Sequence, residues 1–364
     1  MKKHRKILGI DASRSSKEKA TGVERYSTEI IKALLAENTD FEIRLYTPKR
    51  IEGFPKKLQR VLWFPRFWTL IRLSLEMLFR KPDVLFIPAH VLPFFAPKRS
   101  FITIHDVGFE KYPIAYGTIQ SFYLGWSTKR AVKKASKVIV PTGAVKNDLI
   151  KYYRANPKKI VVIHHGHLPI KKISKEDVQE VLDHYKLKKG EPLFFFIGRL
   201  ETKKNLLVLL DAWELVQKKY SKGRLFLGGM YGHGWKDIFK RMEDKDLAGT
   251  IVAPGFISEK DVAGIFRSAT AMILPSREEG FGMPILQAFD SDCAVISSSI
   301  PSLKEVAGDA ALYADPGNAE EFAIQMMRLL ENPQLEKEIV KKGQKRLEEF
   351  SWEKAAKALV AEFT

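Results

Sequence analysis

Short, β-rich apolar runs recur along the chain, each followed by turn residues and then by a helical pattern. In the first half they are Ile7–Ile10, Phe41–Tyr46, Val84–Ile87, Phe101–Ile104, Val138–Val140 and Ile160–Ile163. In the second they are Leu193–Ile197, Leu225–Leu227, Thr250–Val252, Ala271–Leu274, Ala294–Ile296 and Ala311–Tyr313. Such mainly apolar runs suit strands buried on both faces of a parallel sheet. Their alternation with helices makes βαβ units. Six in each half predict an α/β chain of two doubly wound domains rather than one large sheet. The length of 364 residues fits two domains of the usual ~100–200 residues. The break is placed in the Lys- and Glu-rich stretch from Pro169 to Glu191, giving domains 1–170 and 171–345 and a helical tail 346–364. Within that stretch Ser174 and Asp177 predict the start of a helix running to Tyr185. Ser351 is expected to cap a last helix ending at Phe363.

Charge is distributed unevenly. The net charge is +18, and residues 1–170 hold 32 Lys and Arg against 13 Asp and Glu. The second half is therefore close to neutral. Nucleic acid, an anionic membrane surface or a charged substrate could each answer to such a basic half. No nucleic-acid recognition motif accompanies it. Cys293 is the single cysteine, so no disulfide forms within the chain, and a reducing cytoplasmic location fits. The basic start Met1–Lys6 leads into only Ile7–Ile10 before Asp11, short of the ~7–15 apolar residues of a signal peptide. No apolar run approaches the ~18 residues of a spanning helix.

In open α/β sheets, ligands bind beyond the carboxyl ends of the strands, so the loops there are where chemistry is sought. The first runs from Asp11 into Thr21-Gly22-Val23-Glu24-Arg25-Tyr26, a glycine opening an amphipathic helix with Tyr26, Ile30, Ala33 and Leu34 on one face. Backbone N–H groups at such a point can approach a phosphate. His105-Asp106 follows the strand Phe101–Ile104 and places a hydrogen-bonding group in that crevice. The run His164-His165-Gly166-His167 lacks a converging carboxylate and is read as structural rather than as a zinc site. After Leu193–Ile197 come Gly198-Arg199 and Lys203-Lys204, where Arg199 and Lys204 can clamp a diphosphate. The most informative string is Pro275-Ser276-Arg277-Glu278-Glu279-Gly280-Phe281-Gly282-Met283-Pro284-Ile285-Leu286-Gln287. Gly280 and Gly282 allow a tight loop, Pro284 suits a first helical turn, and Glu279 and Gln287 can bond sugar hydroxyls. Asp244-Lys245-Asp246 matches a DxD metal motif only formally and is read as part of a charged surface helix.

Taken in order, these strings resemble a family 4 retaining glycosyltransferase of the GT-B fold, and most of all bacterial mannosyltransferase-B-like enzymes. The resemblance runs from Ile10-Asp11-Ala12 through Ile104-His105-Asp106 and Glu279-Gly280-Phe281-Gly282 to Phe350-Ser351-Trp352-Glu353-Lys354. It implies two Rossmann-like domains facing a central cleft, with the tail helix returning to the N-terminal, acceptor-side domain. It also implies a nucleotide-diphosphate sugar, GDP-mannose or a UDP-sugar, as donor, with no cofactor or metal required. Arg199 and Lys204 then hold the diphosphate, helped by Gly22 and Arg25. Glu279 contacts the donor sugar beside Gly280, Phe281 and Gly282. Phe256 and Ile257 lie near the base, and His105 faces the sugar with Asp106 orienting it or the acceptor. Where the family has a second glutamate for the ribose, this chain has Gln287, whose carbonyl still accepts a hydrogen bond.

The implied chemistry is retaining transfer through an oxocarbenium-like state by front-face substitution. Cationic side chains and helix N-termini stabilise the leaving diphosphate, and domain closure excludes water. The acceptor is a glycan or a lipid-linked sugar in cell-surface polysaccharide synthesis, such as O-antigen. Two readings stand for the segment Lys56–Lys81. In one it is an ordinary helix packing Phe67, Ile71, Leu75 and Leu78 inside. In the other Lys57, Arg60, Trp63, Arg66 and Trp68 touch an anionic membrane, making the protein peripheral on the inner face of the cell membrane. The competing functions are a sugar-nucleotide epimerase or phosphorylase on the same fold, and a nucleotide-sugar-binding protein that has lost activity.

Overall fold

The computed structural model describes residues 5–16, 22–37, 39–64 and 66–364. Thr21, the residues just before it in the first loop, the basic start Met1–His4 and Pro65 lie outside the described residues. The chain divides into two units. The first takes the chain up to Pro113, residues 117–166 and the C-terminal Phe350–Thr364; the second takes Ile114–Tyr116 and His167–Glu349.

Seven strands are seen among the described residues of the first unit. They are β1 (Ile7–Asp11), β2 (Glu42–Thr47), β3 (Gln59–Val61), β4 (Val84–Ile87), β5 (Ser100–Thr103), β6 (Lys137–Val140) and β7 (Ile160–Val162). All pair in parallel, in the order β3-β2-β1-β4-β5-β6-β7. The reversal between β1 and β4 is that of a doubly wound sheet. β4 and β5 are buried at every position because helices cover both faces. The helix Gly22–Ala36 lays Tyr26, Ile30 and Leu34 into the core. β3 carries no apolar run: Gln59-Arg60-Val61 pairs with β2 at the sheet edge, where Gln59 bonds the backbone of Ile51 and Phe54 and Arg60 pairs with Glu76.

The second unit holds β8 (Leu193–Ile197), β9 (Arg224–Gly228), β10 (Ile251–Gly255), β11 (Ala271–Leu274), β12 (Ala294–Ser298) and β13 (Leu312–Ala314). These too are parallel, in the order β10-β9-β8-β11-β12-β13. Its first helix, Lys175–His184, begins with a capping box in which Ser174 and Asp177 satisfy each other's backbone N–H. The helix Trp235–Met242 stops short of Asp244-Lys245-Asp246, which forms turns; Asp244 Oδ2 pairs with Arg241 Nη1 at 2.9 Å.

The chain's last helix, Trp352–Phe363, is capped by Ser351, whose Oγ accepts from Lys354 N at 3.1 Å. It packs within the first unit. Phe363 is fully buried, its ring 5.5 Å from that of Phe86 and 4.9 Å from that of Phe101. Ala355, Ala356 and Leu359 complete the same core.

Two expectations are corrected in the segment Lys56–Lys81. A π-helical turn, Thr69–Leu73, continues into the helix Ser74–Phe79. The side chains turned inward are Trp68, Leu70, Leu73 and Met77, whereas Phe67, Ile71, Leu75 and Leu78 are exposed. Trp68 is only 8% exposed, and its Nε1 donates to Leu62 O at 2.6 Å, so it is not available as a membrane contact. Lys57, Trp63 and Arg66 are exposed. Arg60 Nε instead lies 2.6 Å from Glu76 Oε1, an ion pair too bent for a hydrogen bond. The helix is apolar on both faces, so periodicity alone did not say which face the core takes.

Gly166 tests how the tail helix is seated. A Cβ there would lie 2.3 Å from Trp352 N, so alanine must push back the start of the tail helix. Gly166→Ala is expected to cost about 1–3 kcal/mol, seen as a lowered urea midpoint. An unchanged midpoint contradicts that seating.

Candidate active site

In the second unit the loops beyond the carboxyl ends of β8, β9 and β11 are held together by backbone and side-chain bonds. Beyond β8 and β9 the ladder continues: Gly198 N donates to Gly228 O, Leu200 N to Met230 O and Gly232 N to Leu200 O, each at 2.9 Å. Gly229 has φ +143°, and a Cβ on it would lie 1.7 Å from Gly198 O, so only glycine lets these loops touch. Asn205 then turns the chain into the helix Leu206–Lys219 in a left-handed conformation, φ +59°. Its buried amide donates to Pro275 O at 3.0 Å and Pro316 O at 2.6 Å and accepts from Arg277 Nε at 2.8 Å. This one side chain ties the β8 loop to the β11 loop.

That tie sets up the ion pair at the centre of the site. Lys204 Nζ lies 2.5 Å from Glu279 Oε1, with side chains 17% and 14% exposed. Ser276 Oγ donates to the same carboxylate oxygen at 2.8 Å, and Ser276 O accepts from Ser298 Oγ at 2.6 Å. Immediately beyond Glu279, Gly280, Phe281 and Gly282 are buried. Gly282, φ +91°, caps the helix Met283–Asp290 with Pro284 in the first turn, and no side chain caps its N-terminus. A partly shielded cation, a carboxylate and the positive end of a helix dipole thus lie within one stretch of structure.

The other predicted donor residues take up graded positions. Arg199 is more than half exposed, with Nε 3.6 Å from Glu201 Oε2, and so is free to swing onto a ligand. Gln287 is partly exposed on the helix that Gly282 begins. Phe256 stands exposed just past β10. Ile257 is buried against Gly228, where a Cβ would lie 2.7 Å from its Cδ1.

In the first unit, His105 follows β5 and is buried among aromatic rings. Tyr26 meets it edge-on at 4.7 Å and His90 lies at 5.4 Å, centroid to centroid. Its Nε2 is 3.1 Å from Pro88 O. A carbonyl only accepts, so Nε2 carries the proton and Nδ1 remains an acceptor. Burial, reinforced by His90, pushes its pKa down to about 3, which keeps the ring neutral. Asp106 Oδ1 accepts from Gly108 N at 3.1 Å, and the Pro88 carbonyl bonds the imidazole of His105. His165 is buried, stacked on Trp352 with centroids 6.1 Å apart, and burial holds it well below the usual imidazole range. Gly22 opens its helix at an exposed position, and Arg25 is exposed one turn on. Asp11 accepts from Ser13 N at 2.9 Å and from Thr69 Oγ1 at 3.0 Å, anchoring the turn after β1.

Sequence reasoning passed over Asn205, Ser276 and Arg277, although all three stand inside the strings it singled out. An Asn just before a helical run, where the backbone must turn left-handed, was the available signal.

Comparison with known proteins divides the chain in the same way. A model described as Glycosyltransferase Family 4 matches residues 20–167, and one described as Glycosyl transferases group 1 matches residues 177–346. The O-antigen chain mannosyltransferase B of Escherichia coli is 24% identical over 94% of this chain and 96% of its own. The O-antigen chain mannosyltransferase RfbU of Salmonella typhimurium is 24% identical over 73% of this chain and 70% of its own. Among solved structures, WaaG, a glycosyltransferase involved in lipopolysaccharide biosynthesis, superposes with a TM-score of 0.77 at 14% identity. It covers 98% of this chain and 100% of its own. HepE of Anabaena, solved with UDP and glucose, gives 0.74 at 17% identity over 98% and 99%.

The neutral histidines set a pH dependence. In the unfolded chain an imidazole takes up a proton below about 6.5, whereas folded His105 does so only near 3. The unfolded state therefore binds more protons between those values, and stability falls as pH drops through that window. The loss reaches about 1.4 kcal/mol per pH unit for each such histidine. His105→Asn should make the fall in urea midpoint between pH 7 and pH 5 shallower; an identical slope contradicts a neutral buried ring.

Proposed function

The chain belongs to the family 4 glycosyltransferases, with the GT-B fold and a group 1 C-terminal domain, and on that premise we propose that it transfers a hexose from a nucleotide-diphosphate sugar. Mannose is the favoured hexose, from GDP-mannose ahead of a UDP-sugar, because the relatives that match most of the chain are mannosyltransferases. The acceptor is a glycan or lipid-linked sugar in cell-surface polysaccharide synthesis, met at the inner face of the cell membrane.

The observation that carries this reading is the Lys204–Glu279 pair at 2.5 Å, beside the uncapped start of the helix Met283–Asp290. In the resting site each charge neutralises the other. When the donor arrives, Lys204 turns to the diphosphate and Glu279 accepts hydrogen bonds from the sugar hydroxyls. Arg199 swings in as a bidentate partner, and the N–H groups near Gly282 bind phosphate oxygen. Negative charge grows on the diphosphate as the glycosidic bond breaks. Fixed cations and helix dipoles stabilise that growing charge more than the ground state, which is what lowers the barrier. The transfer retains configuration, the leaving diphosphate takes the acceptor's proton, and no metal is needed. Neutral His105 offers Nδ1 as an acceptor near the sugar. Gln287 replaces a carboxylate at the ribose and holds it through the amide carbonyl.

That same Gln287 favours the second reading, a nucleotide-sugar-binding protein without turnover. Nucleotide release from donor plus acceptor separates the two. Thermal-shift measurements with GDP-mannose, UDP-glucose, UDP-galactose, UDP-N-acetylglucosamine and dTDP-rhamnose identify the donor, since a bound ligand raises the melting temperature by mass action.

Lys204→Ala and Glu279→Ala should each lower turnover on the order of 10²–10³-fold while the protein stays folded. Full activity in either variant contradicts the assignment of the site. Gln287→Glu is expected to tighten donor binding, read as a lower Kd; weaker binding would show that the amide is the ribose contact this site requires.

A further inference from the structure

Two thirds of the exposed large apolar side chains among the described residues fall between Val61 and Trp126. They follow a pattern. Along the π-helical turn and the helix Ser74–Phe79, Phe67, Ile71, Leu75 and Leu78 form a stripe at helical spacing, between 41% and 63% exposed. The opposite face of the same helix fills the core, so the stripe is an additional apolar face rather than a displaced one.

The stripe continues onto neighbouring elements. Phe94 N donates to Ser74 Oγ at 2.7 Å, which seats the turn 92–95 against the helix. The exposed Phe94 ring lies 6.1 Å from that of Trp126 in the helix Thr118–Lys134. Arg130 of that helix lies 5.0 Å from the Phe94 ring and donates to Pro93 O at 2.7 Å. Phe122, one turn before Trp126, is also exposed. Two helices and the turn between them therefore present one surface, all of it within the first unit.

Charge selects the occupant. Residues 66–82, 92–99 and 117–134 contain ten Lys and Arg and a single acidic residue, Glu76. Glu76 is buried and faces Arg60 and Arg72, so it offers no negative charge outward. An apolar stripe with aromatic rings, borne on segments whose outward charges are Lys and Arg, matches the boundary of an anionic bilayer. There the rings and aliphatic chains enter the acyl edge while Arg and Lys reach lipid phosphates. We propose that this surface, the outer face of the Phe67–Leu78 stripe together with Phe94 and Phe122, docks the protein on anionic lipid. The inference rests on the membrane reading above but moves the contact: Trp68 is withdrawn into the core, and the stripe beyond it takes its place.

The test is co-sedimentation of the full chain with phosphatidylcholine vesicles, with and without about 30% phosphatidylglycerol. Wild type should sediment with the anionic vesicles, less so as salt is raised, and not with phosphatidylcholine alone. The double variant Leu75→Glu, Leu78→Glu should bind at least tenfold more weakly, and Phe122→Ser should bind more weakly than wild type. Because these side chains are exposed, each variant should keep the wild-type melting temperature and donor-induced thermal shift. Vesicle binding equal to wild type in the double variant, which would mean attraction by charge alone, overturns the proposal. So does wild type that ignores anionic vesicles. If the donor-induced shift persists in that case, the membrane surface fails while the donor site stands; loss of the shift would instead count against the donor site.

Discussion

One ion pair organises the site on which the function depends. Lys204 and Glu279 come from loops beyond β8 and β11, which are adjacent strands, and their charged atoms are 2.5 Å apart with little exposure. A shielded pair of this kind costs desolvation that its own attraction only partly returns. Under the proposed function the two charges are ready partners for a ligand that carries the same two chemistries, an anion for the lysine and hydroxyl donors for the carboxylate. Everything around the pair holds it in position. Asn205 ties the two loops, Ser276 fixes the carboxylate, and close glycine contacts keep the β8 and β9 loops in register.

The two units share a construction and differ in charge. Both are parallel sheets whose strand order reverses in the middle, so both collect loops at the carboxyl edge. The near-neutral second unit places Lys204 against Glu279 in the loops beyond β8 and β11. The basic excess lies in the first half of the chain, and ten of its Lys and Arg belong to the segments that carry the exposed apolar surface, which hold no exposed acid. A charge that read in the sequence as a diffuse preference for anions becomes, on the structure, a specific face.

What was legible in the sequence follows from what leaves a trace in one dimension. Twelve strands among the described residues announced themselves as apolar runs, most clearly β4, β5, β11 and β12, which are buried at every position because both faces of the sheet are covered. β3 did not, since an edge strand of Gln-Arg-Val has no such requirement. Caps were readable at Ser174 and Ser351, where side-chain chemistry and position coincide. The helix after Trp68 was readable as a helix, but its inner face was not, because Leu70, Leu73 and Met77 and the outer stripe are equally apolar. The glycines and Glu279 were visible as a string. Asn205 was not, because its importance comes from carbonyls at Pro275 and Pro316 that lie far away in the chain. The Pro88 carbonyl that bonds His105 was not readable for the same reason, since it lies on another loop of the chain.

The central claim is that Glu279 reads the sugar while Lys204 reads the diphosphate, and it is tested most directly by comparing two ligands on two proteins. Binding of GDP and of GDP-mannose is measured by titration calorimetry for wild type and Glu279→Ala. With the lysine released from its carboxylate, the variant should bind GDP as tightly as wild type or more tightly, while losing the added affinity for the sugar-bearing form. Loss of GDP binding together with GDP-mannose binding, or an undiminished preference for the sugar, would contradict that division of labour.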